Sequence, residues 1–296
     1  MRYLKGNYIK SPLNYVGGKF KLLKEILPLF PDDIGRFIDL FGGGFNVGIN
    51  VNCNSVVYND TYAQVVDLLQ KFSEHTPEEV HQKIIDTITE YGLSRSDLNG
   101  YEMYGCNSNN GLGEYNKPKY FKLREDYNKS PDWIKFYTLI TCSFSNQIRF
   151  NSKGEFNMPY GKRDYNTSLQ DKLKTFIEEL HKKNVTFSNN DFRAYKNDIK
   201  HGDFLYCDPP YFNSVATYNE QGGWSENDER DLLALLDEAN KQGVRFALSN
   251  NLKYGNPFLD EWKQKYKVHY LNHDYSNCNY QKKDKSKDIE VLITNY

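Results

Sequence analysis

Apolar and polar positions alternate along this chain in two different rhythms. Lys21 to Leu29 keeps helical spacing, is entered from Gly17-Gly18-Lys19, and is ended by Pro31. Arg36-Phe-Ile-Asp-Leu-Phe41 has the composition of a buried strand, Gly42-Gly43-Gly44 a turn, Val47 to Val51 a short helix, and Ser55-Val-Val-Tyr58 a second strand ending at Asn59-Asp60. The middle then turns helical. Ala63 to Phe72 places Val65, Val66, Leu68, Leu69 and Phe72 at helical spacing. Pro77 to Tyr91 opens on the helix-start signature Thr76-Pro77-Glu78-Glu79 and puts Val80, Ile84, Ile85 and Ile88 on one face. Tyr120 to Tyr127 and Trp133 to Cys142 are predicted helices. Residues 99–118 are Gly/Asn-rich and predict a loop, and Phe150 to Pro159, centred on Asn151-Ser152-Lys153-Gly154, predicts a β-hairpin. From Ser168 strands and helices alternate again: helix Leu169 to Lys182, strands Val185 to Ser188 and Asp203 to Cys207, helix Glu226 to Lys241 capped by Ser225, strand Val244 to Ser249, and a closing pair at Val268 to Leu271 and Glu290 to Ile293.

This order implies an α/β domain built from residues 1–60 and 168–296 and split by a helical insert, residues 61–167, that carries the hairpin. Alternating strands and helices imply a mostly parallel sheet with right-handed crossovers, whose ligands bind beyond the carboxyl ends of the strands.

Composition narrows the class. No apolar run approaches the ~20 residues that a membrane span needs, and Met1-Arg-Tyr-Leu-Lys-Gly6 lacks the apolar core of a signal peptide. Cys53, Cys106, Cys142, Cys207 and Cys278 are scattered without a CxxC pair, which argues against a disulfide scaffold or a cysteine zinc site and fits a reducing cytoplasm. His269 and His273 are close in sequence but lie in a strand-like stretch, so no metal is expected. A net charge of −1 disfavours a protein that coats DNA, yet residues 147–174 carry six basic against three acidic side chains.

Four motifs carry chemistry. In Asp39-Leu-Phe-Gly-Gly-Gly-Phe-Asn-Val-Gly48 a strand ends in an acid, and glycines then let the backbone approach a ligand; the spacing is not the GxGxxG of nicotinamide enzymes. Asp60 stands 21 residues after Asp39, at the end of the next strand, where it suits either two ribose hydroxyls or a helix cap for Thr61 onward. Asp208-Pro209-Pro210-Tyr211 follows the apolar strand Phe204-Leu-Tyr-Cys207. Its prolines remove two amide donors, so nothing is expected to compete for the Asp208 carboxylate or the Pro209 carbonyl, and both can point at an amino group. Tyr15-Val-Gly-Gly-Lys19 hints at phosphate binding, but Phe20 replaces the Ser/Thr of a P-loop.

In this order the motifs resemble the alpha-group amino methyltransferases, which use S-adenosylmethionine. The insert sharpens the likeness. Phe144-Ser-Asn-Gln-Ile-Arg-Phe-Asn151 and Gly154-Glu-Phe-Asn-Met-Pro-Tyr-Gly-Lys-Arg163 are similar to the target-recognition segment of Dam-type adenine methyltransferases, and Lys122-Leu-Arg-Glu-Asp-Tyr-Asn-Lys129 is similar to their T-even phage branch. The resemblance runs from about residue 11 to 296. It implies a Rossmann-like S-adenosylmethionine-binding domain with an inserted target-recognition domain. It implies cofactor contacts from Tyr15, Lys19, Asp60 and Asp208, in a pocket shaped by Asp39, Phe41, Gly42, Gly43 and Gly44. It also implies catalysis by Asp208, Pro209, Pro210 and Tyr211 on the N6 amine of an adenine flipped out of double-stranded DNA, usually within GATC. The residue before the N-terminal aromatic, a basic DNA contact in some bacterial members of the family, is here Asn14, so that contact is not carried over.

On the DNA side the resemblance implies Phe144 as a wedge, with a core phenylalanine as the alternative. Sequence reading falls to Ser145, Arg149, Asn151, Pro159 and Arg163. Arg149 is expected on the outer guanine and Arg163 on the guanine of the other strand; a phosphate contact is the alternative for each. No membrane and no metal enter the expectation, and the chain should act as a monomer or weak dimer. Two other readings compete: a methyltransferase for RNA or a protein amide, the latter carrying Asn where Asp208 stands, and a non-catalytic DNA-binding module, against which the intact Asp-Pro-Pro-Tyr argues.

Overall fold

The computed structural model describes residues 8–15, 17–213, 223–271 and 289–296. They form two compact units, one comprising Lys19–Tyr62 and Lys183–Tyr296, the other Ile9–Gly18 and Ala63–Lys182.

The first unit is built on a seven-stranded sheet: β1 (Arg36–Asp39), β2 (Ser55–Asn59), β3 (Val185–Ser188), β4 (Asp203–Cys207), β5 (Arg245–Asn251), β6 (Lys267–Tyr270) and β7 (Glu290–Thr294). The order is β3-β2-β1-β4-β5-β7-β6. The first five strands are parallel, and β7 runs antiparallel between β5 and β6. From β1 the chain first moves outward on one side and then returns to β4 on the other, so the order reverses between β1 and β4. Both faces are covered, which is why β1 and β4 read as continuous apolar runs. One face packs Ile38, Leu205, Cys207, Phe246 and Leu248 under α8 (Glu226–Lys241), where Leu232, Leu235 and Leu236 are buried. The other packs Phe37, Phe204 and Tyr206 on Phe30, whose ring lies 4.8 Å from that of Phe204. Phe30 follows the helical stretch Lys19–Leu29, in which α1 (Leu23–Ile26) sits between two 3-10 turns. At the amino end of the sheet Arg36 clamps Asp203 of the neighbouring strand with two bonds, at 3.0 and 2.6 Å.

The second unit is helical: α2 (Ala63–Glu74), α3 (Pro77–Glu90), α4 (Ser96–Asn99), α5 (Gly113–Lys129), α6 (Trp133–Cys142) and α7 (Thr167–Leu180). The apolar α6 is central and packs against α2, α3 and α5. Asp132 caps it by accepting from the amides of Ile134 and Lys135, each at 3.0 Å. The capping box read at Thr76 is present, with Glu79 returning to the Thr76 amide. Three features differ from the sequence reading. The insert was expected to end at residue 167, but α7 packs on α2 and α3, so this unit runs to Lys182. The loop expected over 99–118 is shorter. A 3-10 turn forms at Glu102–Tyr104, and α5 already starts at Gly113 because Asn116 is buried and satisfied by Ser94 and the Tyr160 hydroxyl. The hairpin forms no continuous strands. Phe150 and Phe156 pair in a single antiparallel bridge and stack with Phe136 of α6, so core packing rather than a ladder holds it.

Phe176 is fully buried on α7. Phe176→Ala should cost ~3–5 kcal/mol, and amide exchange should accelerate in α2, α3 and α7. Equal acceleration across the central strands instead would show that α7 belongs to the sheet unit.

Candidate functional site

Parallel register decides where the acids fall. Asp39 ends β1 opposite Tyr58 of β2 and Tyr206 of β4. Asp60 and Asp208 each lie two residues beyond those partners. Three carboxylates therefore stand at the carboxyl ends of the adjacent strands β2, β1 and β4, beside the point where strand order reverses, which is where open α/β sheets bind ligands.

Each carboxylate has its own environment. Lys19, only 3% exposed, lies 2.7 Å from Oδ1 and 2.8 Å from Oδ2 of Asp208. Burial pushes the Asp208 carboxyl upward, while the Lys19 charge and hydrogen bond oppose that push. The sequence leads one to expect an uncontested Asp208 carboxylate, and the structure corrects this: the buried Lys19 of the N-terminal motif, far away in sequence, holds both oxygens. Among the described residues none donates to the Pro209 carbonyl. The Tyr211 hydroxyl reaches Asp208 Oδ1 at 3.5 Å and Glu290 Oε2 at 3.2 Å, and the Lys19 ammonium sits 5.2 Å from the centre of the Tyr211 ring. Asp60 accepts from the Gly43 amide at 2.9 Å and the Tyr62 amide at 2.9 Å. It therefore pins the glycine loop and turns the chain toward α2, and each oxygen keeps lone-pair capacity. Asp39 accepts from the Gly48 amide at 3.2 Å. Burial, then the nearby Asp208 charge, raises its carboxyl to about 8.

The glycine loop is steric in origin. A Cβ at Gly42 would lie 2.2 Å from the Tyr58 ring, and one at Gly48 would lie 2.2 Å from the Phe45 ring and 3.0 Å from Asp39 Oδ2. Gly44 is buried beside Phe45. Phe41 is half-buried against Phe192 and Trp224 at 5.6 and 5.7 Å. Pro209 is buried and Pro210 half-buried. Sequence reasoning missed Tyr58, whose hydroxyl donates to the Gly43 carbonyl at 2.7 Å, and Glu290, a buried acid at the head of β7 that Asn251 also holds at 3.0 Å. A charged residue opening an apolar strand was the available signal for Glu290. Tyr15 is half-buried and lies in the Ile9–Gly18 segment of the other unit. Among the described residues no group of three or more His, Cys, Asp or Glu side chains is disposed to hold a metal, and no helix is long and apolar enough to cross a membrane. Cys278 and His273 lie outside the described residues.

The second unit gathers the other set. Phe144 is 55% exposed, against the core alternative. Ser145 and Asn146 beside it adopt left-handed backbone at φ 55° and 54°, a costly conformation for these residues. The loop is braced: Asn14 donates to the Ser145 carbonyl at 2.6 Å, the Phe144 amide to Pro159 at 2.9 Å, and a Cβ at Gly161 would lie 2.6 Å from the Ser143 carbonyl. Arg149 is held by Asn157, whereas Arg163 and Pro159 are exposed. Asn151 spends its carboxamide closing the hairpin turn, accepting from the Lys153 and Glu155 amides at 2.9 and 3.0 Å.

Asp39 generates a pH prediction. Its folded value of about 8 exceeds the ordinary ~3.9 of an unfolded chain. The folded state therefore holds the extra proton, and stability is lost as pH rises from ~4 to ~8. Asn keeps an acceptor for Gly48. Asp39→Asn should match the parent in thermal midpoint near pH 4 and exceed it progressively toward pH 8; a difference independent of pH would contradict this.

Comparison with known proteins places this geometry. Residues 15–277 match the family model described as D12 class N6 adenine-specific DNA methyltransferase. The type II methyltransferase M.FokI of Planomicrobium okeanokoites is 42% identical over 98% of this chain and 43% of its own length. The modification methylase StsI of Streptococcus sanguinis is 36% identical over 98% of this chain and 43% of its own. The type II methyltransferase M.MjaIII of Methanocaldococcus jannaschii is 28% identical over 97% and 99%. The chain thus spans less than half the length of the first two relatives. With its acids at the ends of β2, β1 and β4 and its matched motifs, the chain belongs to the D12 class of N6 adenine-specific DNA methyltransferases.

Proposed function

We propose that this chain methylates the N6 amine of an adenine in double-stranded DNA with S-adenosylmethionine as donor. The helical unit would read the DNA and the sheet unit hold the extruded base. The observation that carries the reading is Asp208, ion-paired to Lys19 at 2.7 Å beside a Pro209 carbonyl to which no described residue donates, at the reversal of the strand order.

The donor fits the residues present. Asp208 and Glu290 both feel the buried Lys19, and Asp39 is coupled to Asp208 and Asp60. Even with the Asp39 proton held up to about 8, Asp60, Asp208 and Glu290 outnumber that ammonium, which favours a cationic ligand. In the sheet unit, Lys19, Asp39, Phe41, the glycines at 42–44 and Asp60 would hold it. Bound there, S-adenosylmethionine supplies a methyl group already activated by its sulfonium. The adenine amine is a poor nucleophile because its lone pair conjugates with the ring. Asp208 and the Pro209 carbonyl accept its two hydrogens and favour the geometry that localises that pair. For this, one Asp208 oxygen must part from Lys19, while the ammonium continues to oppose the upward push of burial. Positioning and fixed charge then provide the acceleration. Extrusion costs a few kcal/mol, which stacking of the base on Tyr211, worth ~1–3 kcal/mol, offsets. The exposed, braced Phe144 suits the vacated step.

Site preference is a finer matter. The recognition segment supports GATC, with Arg149 and Arg163 on its guanines. The type II and modification names of the relatives at 42% and 36% identity support a restriction–modification setting over the T-even phage one.

Incubation with tritiated donor and unmethylated duplex, followed by mapping of modified bases, tests the proposal. N6-methyladenine in DNA is expected; label only in RNA or protein, or DNA binding without label, would replace it with one of the competing readings. Asp208→Asn should lower kcat by at least ~10²-fold with unchanged circular dichroism, and near-normal turnover would refute the acceptor role. Lys19→Met removes the charge that opposes the upward shift of Asp208. The acid limb of kcat, measured at saturating donor and DNA, should therefore move to higher pH. An unmoved limb would detach Lys19 from the ionisation of Asp208.

A further inference from the structure

The hairpin shows how one recognition side chain is aimed. Arg149 Nε donates to Asn157 Oδ1 at 2.8 Å, and Arg149 Nη2 donates to the Asn157 carbonyl at 3.1 Å. The Asn157 amide returns to the Arg149 carbonyl at 3.1 Å. A guanidinium has five N–H groups in a fixed plane with two usable forks, the Nε/Nη2 side and the Nη1/Nη2 end. Asn157 closes the side fork. Three N–H groups remain, among them the convergent pair of the end fork.

Asn157 is itself anchored. Asn128 accepts from the Phe156 amide at 2.9 Å and donates to the Phe156 carbonyl at 3.1 Å. Arg124 and Tyr120 donate to the Met158 carbonyl at 3.0 and 2.9 Å. These three side chains are four residues apart on α5 and share one face. They grip the residues on either side of Asn157, while Phe150 and Phe156 are buried beneath the hairpin. The Lys122–Lys129 motif of the sequence thereby acquires a structural purpose: its face fixes the recognition hairpin.

We infer that Asn157 is a specificity-positioning residue, which commits Arg149 to meet a base pair end-on through its Nη1/Nη2 fork. This rests on the reading of Arg149 as a base contact. An end-on fork offers two parallel donors, the match for O6 and N7 of a guanine, and a fixed plane rejects a base pair that an unrestrained arginine could reorient to accommodate.

The test uses the full chain and a duplex pool randomised around a central adenine, methylated to low conversion and sequenced for N6-methyladenine. Arg149→Ala should relax preference at one base pair. Asn157→Ala should reduce discrimination at that same base pair by about 10-fold, within the range that a bidentate contact supplies. Turnover on the preferred sequence should stay within about twofold, because the end fork remains. Asn157→Asp, which keeps an acceptor for Nε, should retain the discrimination, and Arg149→Ala/Asn157→Ala should lose no more than Arg149→Ala alone. If Arg149→Ala relaxes the preference and Asn157→Ala does not, the positioning role fails alone. If Asn157→Ala and Asn157→Asp both slow methylation equally on all sequences, Asn157 is only structural and the inference fails. If Arg149→Ala changes no base preference, the reading of Arg149 fails and takes this inference with it.

Discussion

The site depends on one buried ion pair, that of Lys19 with Asp208. Asp208 is drawn into the sheet end by a backbone that two prolines stiffen, and burial pushes its carboxyl upward. Lys19, 189 residues earlier in the chain, opposes that push from 2.7 Å. Removing a buried ion from water costs several kcal/mol, repaid only when the partner is close and well placed. The fold exists in part to make that placement. The stretch from Lys19 leads into Phe30, whose ring packs on Phe37, Phe204 and Tyr206 of one sheet face, and β4 delivers Asp208 from the centre of the sheet.

The same constraint explains the neighbouring groups. Asp39 lies close enough to feel the Asp208 charge, and its proton is held up to about 8, so the pocket is less negative than its residue count suggests. Asp60 spends two hydrogen bonds on the glycine loop and the turn into α2. Tyr211 is steadied by Glu290 from the antiparallel strand β7. The arrangement is a set of acids whose charges are limited by burial, with the Lys19 cation paired to Asp208.

Much of this was legible in the chain. Buried strands announce themselves as apolar runs, so β1, β2 and β4 and the acids that end them were readable, and parallel order then brought those acids together. What was not legible was contact across long separations. Nothing local marks Lys19 as the partner of Asp208, Glu290 as the partner of Tyr211, or Asn157 as the brace of Arg149. Residues 113–118 looked like loop because Gly, Asn and Pro weaken helix propensity; tertiary burial of Asn116 overrode it. The hairpin was correctly located, but its Phe150 and Phe156 serve the helical core rather than a ladder.

The most direct measurement is a crystal structure of the protein with a methyl-inert donor analogue and a duplex containing its target. The account requires the adenine amine within hydrogen-bond reach, ~3 Å, of both the Asp208 carboxylate and the Pro209 carbonyl, with Lys19 retaining one Asp208 oxygen and releasing the other. An extruded base whose amine lies elsewhere, with Lys19 still bridging both oxygens, would contradict it.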